Sequence, residues 1–145
     1  MQQFPHHYQV TAQGAPEEAI LISSQGLPDW PTAAPAEFDG PGDLWSPETM
    51  LVGAAANCFI LTFRAIAKAS KFAWTDLRCE AQGLLDRVER VTQFTEIQLH
   101  VKLQLPAGSD AEKAQRLLEK SEQNCLITSS MKAKVHLQTE VTVEA

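Results

Sequence analysis

No arginine precedes Arg64, and positive charge is scarce throughout the chain: Lys and Arg number 12 against 18 Asp and Glu, a net charge of −6. Nucleic-acid surfaces need clustered cations to meet phosphates, so a nucleic-acid partner is excluded. The opening residues, Met-Gln-Gln-Phe-Pro-His-His, lack a basic segment running into an apolar one, and no signal peptide is expected. The longest apolar run is interrupted by Arg64 and Lys68 before it reaches bilayer length, so no membrane partner is expected and a cytoplasmic location is. Cysteine is sparse as well. Cys58, Cys79 and Cys125 form no CxxC and no zinc-like spacing, and an odd number argues against a disulfide framework. The pair His6-His7 lacks a third ligand, so neither a metal nor another cofactor is expected. Ser–His–Asp spacing, a phosphate loop, paired carboxylates, internal repeats and low-complexity tracts are all missing.

What remains is a chain of 145 residues, 44% hydrophobic and 21% charged, suited to one globular domain with a real core. Its centre is Ser46 to Lys71, which reads as one long helix. Ser46 can cap the first turn, Pro47 suits the first helical position, and Glu48 places negative charge at the positive end of the dipole. From Thr49 to Phe63 there is no charge, which predicts a helix wrapped by protein on most sides. Gly53-Ala54-Ala55-Ala56 leaves a smooth surface for a second helix, and Cys58 sits in the middle of the apolar rod.

Before this helix, alternation around Tyr8–Ala12 and Ala19–Ile22 predicts an N-terminal hairpin over 7–23, turned at Gly14-Ala15-Pro16. Pro and Gly break any period over 24–45, where Trp30, Phe38 and Trp45 predict an ordered loop, each ring being either a core anchor or, as expected for the three together, part of the wall of an apolar pocket near Cys58. After the helix, strands are expected from Leu77 to about Leu85 and from Thr95 to Leu105, joined by a charged connection over Asp86–Arg90. In the second strand Ile97, Leu99, Val101, Leu103 and Leu105 face one way. Ser109-Asp110 can cap a second helix, Leu126 to Met131 reads as a short helical piece, and a last strand alternates from Val135 to Val143. The sheet and second helix fill 76–145. Strands grouped between helices of unequal weight predict an α+β fold with a mostly antiparallel sheet.

Of the thiols, Cys79 shares its strand phase with Leu77 and Ala81, so core packing accounts for it. Cys125 falls between two helical pieces, and with its sulfur near the start of the second the dipole there would favour its thiolate. The neighbours that set the pKa of Cys58 carry no sequence signal. His100 and His136 lie on polar strand faces and are expected to meet water, while Arg87, Glu89 and Arg90 make a solubilising turn.

Three stretches together resemble the OsmC-like family of osmotically inducible and organic hydroperoxide resistance proteins. Ser-Pro-Glu-Thr-Met-Leu-Val-Gly-Ala-Ala-Ala-Asn-Cys-Phe, from Ser46, is similar to the first cysteine motif of that family. Gln93-Phe94-Thr95-Glu96-Ile97 resembles its central strand, and the stretch from Glu122 to Lys132 around Cys125 resembles its second cysteine motif. The resemblance implies an intertwined homodimer in which Cys58 is the peroxidatic thiol, Cys125 the resolving one, and Glu48 helps organise the site. It implies a small hydrophobic peroxide as substrate and a dithiol reductant, often lipoyl-linked. Glu48 and Cys58 would lie about 15 Å apart along one helix, so Glu48 suits the Cys58 of a partner better than its own. Two departures stand out. The family's N-terminal arginine is replaced by Glu37 ahead of Phe38-Asp39-Gly40, or falls near Ala15-Pro16, and acid in place of base disfavours thiolate. Leu126 replaces the usual proline after the second cysteine. The alternative reading is a non-peroxidase member that binds a small apolar ligand at the dimer interface.

Overall fold

The computed structural model describes Met1 to Ala145, and its contacts separate a smaller unit, Met1–Met50, from a larger one, Leu51–Ala145. The smaller unit holds an antiparallel sheet in the order β1 (Thr11–Gln13), β2 (Ile20–Ser23) and β3 (Trp30–Thr32). Its first two strands are the expected hairpin, with Ala12 opposite Ile22. The segment over 24–45 is more ordered than its prolines suggest. It contains β3, where Pro31 is tolerated because the strand lies at an edge, and a 3-10 turn over Ala36–Phe38. The Ala33 N–H donates to the Trp45 carbonyl at 3.0 Å and Thr32 bridges to Trp45, so this segment closes on itself just before the long helix.

That helix, α1, spans Pro47–Ala69. Ser46 Oγ accepts the Thr49 N–H at 3.1 Å while Thr49 Oγ1 accepts the Ser46 N–H at 2.9 Å, a reciprocal cap around Pro47. At the other end Phe72 N–H reaches the Ala67 carbonyl and Lys71 N–H the Lys68 carbonyl, with Lys71 left-handed at φ 53°. This is a Schellman closure in which lysine occupies the position glycine usually takes. Only one stripe of α1 is covered: Ala55, Phe59, Phe63 and Ala67 are fully buried, while Leu51 and Leu61 are 39% and 50% exposed. Within one chain, then, α1 is wrapped on this side alone. The length and composition of α1 would also suffice to cross a membrane, Arg64 and Lys68 notwithstanding. Its apolar stripe instead joins the core of the larger unit.

That core rests on a sheet in the order β4 (Asp76–Val88), β5 (Val91–Leu105) and β6 (Lys134–Val143). All five apolar residues of the predicted alternation in β5, Ile97 to Leu105, are buried. Each contributes about 2 kcal/mol by leaving water, which fixes the register because a one-residue slip would expose them all. The connection expected over Asp86–Arg90 shrinks to Glu89 and Arg90, both at positive φ (50° and 70°), and Asp86–Val88 continue the strand. Positive φ at both central residues is what a two-residue hairpin turn demands of its backbone. A bulge leaves Thr95 unmatched, since Leu84 faces Glu96 while Leu85 faces Phe94.

β5 and β6 run parallel, so the chain must cross over between them. The crossover carries α2 (Ala111–Asn124) and α3 (Leu126–Ser129). Asp110 caps α2 by accepting the Lys113 N–H at 3.0 Å, and Ala114, Leu117 and Leu118 enter the core. Thr139 on β6 donates to Gln115 on α2 at 2.6 Å, tying crossover to sheet. Close approach of α1 to the sheet depends on Gly83, where a Cβ would meet Val52 Cγ2 at 2.7 Å and the Phe94 ring at 2.8 Å. On the open face of the sheet, His100 Nε2 lies 2.9 Å from Glu140 Oε2 and His136 Nε2 lies 3.3 Å from Glu96 Oε1. These histidines pair across strands and do not meet water alone, as their polar faces had suggested.

Candidate functional site

Cys58 and Cys125 come from elements far apart in sequence, α1 and the junction of α2 with α3. Cys125 is both the last cap of α2 and the first of α3, held at φ −68° and ψ 112°, and is fully buried. Cys58 is half-buried, and its sulfur lies 3.8 Å from Thr62 Oγ1 one helical turn on. The two thiols stand within hydrogen-bonding reach of each other.

Their electrostatics differ. Burial pulls the Cys58 thiol up, but hydrogen bonds from the Ile127 backbone, the Cys125 thiol, the Thr62 hydroxyl and the Leu126 backbone outweigh it and hold the pKa below its ordinary value. For Cys125, burial again raises the pKa. Bonds from the Thr128 hydroxyl and backbone oppose this, the neighbouring Cys58 adds to it, and the net direction is up. Of the two, Cys58 is therefore the thiol that ionises first. This corrects the expectation that the dipole of the second helical piece favours thiolate at Cys125: the backbone groups of Leu126 and Ile127, in the first turn of α3, serve Cys58. Cys79, half-buried against the core, is pushed up to about 11, by burial first and then by the charge of Cys125.

A groove of about 480 Å³ opens beside Cys58. Leu61, Ala65 and Ile66 of α1 and Leu126 of α3 supply its apolar walls, and Lys120 and Asn124 of α2 its polar edge.

The other predicted residues belong to the smaller unit. Trp30 and Trp45 meet edge to face with ring centroids 5.5 Å apart, and Phe38 ends the 3-10 turn, 52% exposed. Trp45 also lines a groove of about 330 Å³ with Asp43, Leu44 and Thr49. Glu48 occupies the first turn of α1, and its Oε1 is buried without a hydrogen-bond partner. His, Cys, Asp and Glu form no cluster that could hold a metal ion. Thr62, Lys120 and the Leu126 and Ile127 backbone were missed in the sequence. Thr62 was accessible through its four-residue spacing from Cys58, whereas backbone donors leave no trace except that position 126 is not proline.

The family model described as OsmC-like protein matches residues 40–140. The chain belongs to the OsmC-like family. An uncharacterized protein of Bacillus subtilis (strain 168), YmaD, is 32% identical over 151 residues, covering 96% of this chain and 95% of its own. Among solved structures, an OsmC-like protein of unknown function from Vibrio cholerae O1 superposes with a TM-score of 0.84 at 17% identity, covering 94% of this chain and 99% of the other. An organic hydroperoxide resistance protein from Legionella pneumophila gives 0.76 at 21% identity, with coverages of 97% and 100%. The mixed α+β architecture is thus the OsmC-like fold. Within that fold the Cys58 and Cys125 thiols adjoin each other.

Proposed function

We propose that this OsmC-like protein reduces organic hydroperoxides, with Cys58 as the peroxidatic thiol and Cys125 as the resolving one. The observation that carries this reading is the contact between two thiols whose environments make Cys58 the first to ionise. The Cys58 thiolate attacks the distal oxygen of the peroxide. The O–O bond breaks, an S–O bond forms, and the departing alkoxide takes a proton from solvent to leave as an alcohol. Cys125 then attacks the sulfenic sulfur, releasing water and closing a disulfide within one chain. An external dithiol, lipoyl-linked in the reading that the family suggests, returns both thiols and leaves as its own disulfide.

The same reading places two copies together through the small residues of α1, with Glu48 as a further site residue. The unpartnered Glu48 Oε1 supports it, because a buried carboxylate oxygen calls for a donor. Trp30, Phe38 and Trp45 are the proposed apolar wall, and the proposed location is cytoplasmic.

The second reading, a ligand-binding protein without peroxidase activity, is favoured by the missing N-terminal arginine and the apolar groove beside Cys58. Titration of the reduced protein with cumene hydroperoxide, followed by thiol counting in a mass spectrometer, separates the two. The peroxidase reading expects a Cys58–Cys125 disulfide, a sulfenic acid on Cys58 in Cys125→Ser, and Cys79 unmodified in both. A protein that leaves all three thiols reduced under excess peroxide is not a peroxidase.

A further inference from the structure

We infer that Lys120 is a specificity-determining residue of the Cys58 groove, which takes molecules built from an apolar body and an anionic head, a carboxylate above all. The inference builds on the proposed function for what happens at Cys58, while the binding it describes does not need peroxide chemistry. The walls of the groove are strongly apolar yet partly open: Leu61 is 50% and Leu126 67% exposed. Leucines left in water beside a reactive thiol favour a hydrophobic occupant that covers them.

Among the groove's residues only Lys120 carries a positive charge, and it enters none of the protein's ion pairs. Asn124, one turn further on, donates its side-chain amide to the Lys120 carbonyl at 2.8 Å. One of the two N–H groups of that amide is thereby engaged with α2 itself, and the ammonium of Lys120 is the groove's one charged donor. The lysine stem can lie along the apolar wall while its charge stays at the rim. A carboxylate held there leaves the apolar body lying over Leu126, Leu61 and Ile66, with Cys58 in the same groove. The net charge of −6 repels anions from the molecule at large, which gives a local cation the deciding part in where one settles.

Protection of Cys58 from iodoacetamide by octanoate and by octanol tests this at neutral pH. The two probes share an apolar chain and differ in the head. Octanoate is expected to protect about twofold to fivefold more tightly, the range of one largely exposed ion pair, with the advantage shrinking as salt is added. Lys120→Gln is expected to bring the octanoate-to-octanol ratio to one, Lys120→Glu to invert it, and Lys120→Arg to keep it. Each ratio is taken within one variant, so a change in the reactivity of Cys58 itself cancels. Equal protection by both probes in the wild type, or a ratio unmoved by Lys120→Gln, overturns the inference. A hydroperoxide bearing a carboxylate, compared with its methyl ester, separates it from the peroxidase reading. Equal kcat/KM for the two overturns the role of Lys120 and leaves the peroxidase standing. Consumption of neither, with Lys120-dependent octanoate protection, sinks the peroxidase and supports Lys120.

Discussion

Three thiols in one small protein answer to the same two forces, burial and hydrogen bonding, with different winners. At Cys79 burial dominates, and the thiol is pushed up to about 11 from 9.0. Because its folded pKa is raised, the stability that the neutral thiol contributes is fully present below pH 9.0 and is lost as pH rises through about 11. Cys79→Val is therefore expected to flatten the fall in unfolding free energy over that window, measured by urea titration at several pH values against wild type. A wild-type slope unchanged by the substitution would refute it. At Cys58 hydrogen bonds dominate. The sequence marked Cys58 and Cys125 because they stand in motifs, but it carried no sign of which sulfur ionises first. That preference comes largely from backbone groups and a neighbouring thiol, whose positions depend on the tertiary fold.

At the scale of elements, α3 matters out of proportion to its four residues. Leu126 is its first residue and lends its backbone to Cys58, a bond that the proline usual in the family has no N–H to donate. Proline also fits the site, because it is tolerated at a first helical position and Cys125 already has the extended ψ of 112° that a residue before proline prefers. Leu126→Pro is thus expected to fold normally and to slow alkylation of Cys58 at neutral pH, by less than loss of the larger contributions from Ile127, Cys125 or Thr62 would, measured by stopped-flow or timed quenching. An unchanged rate would mean that Ile127, Thr62 and Cys125 suffice. Elements with strict periodicity were legible in advance. β5 reads directly from Ile97, Leu99, Val101, Leu103 and Leu105, and α2 from its cap at Asp110 and its apolar stripe. β3 was not, because Pro31 hides a strand whose pairing depends on β2 and on the return of the chain at Trp45. Nor was the tight turn at Glu89-Arg90, where left-handed backbone falls on two residues without the usual Asn or Gly.

For the whole molecule, the apolar surface left on α1 is the feature that asks for a partner. Leu51 is 39% exposed in the first turns of α1, beside the small residues Gly53 to Ala56, while Leu61 belongs to the groove beside Cys58. The proposed homodimer predicts twice the chain mass in light scattering at micromolar concentration, and Ala54→Arg, which places a bulky cation on the small-residue surface, is expected to yield monomers. A monomeric wild type would end the dimer proposal. Family membership was legible because two cysteine motifs and a central strand fall in the right order, whereas the division at Met50 and Leu51 left no mark in composition. The parallel pairing of β5 with β6 sets an order of events in time. β4 and β5 are joined by two residues and can zip from their turn as soon as both exist. β6 must wait for the whole crossover to be made and gathered in, at a larger loop-closure cost. Cys125 travels in that crossover, so the thiol pair is assembled late in folding. Pulse-labelled hydrogen exchange during refolding should find the β4 and β5 amides protected before those of β6, and a nascent chain would carry Cys58 through its early life without its partner.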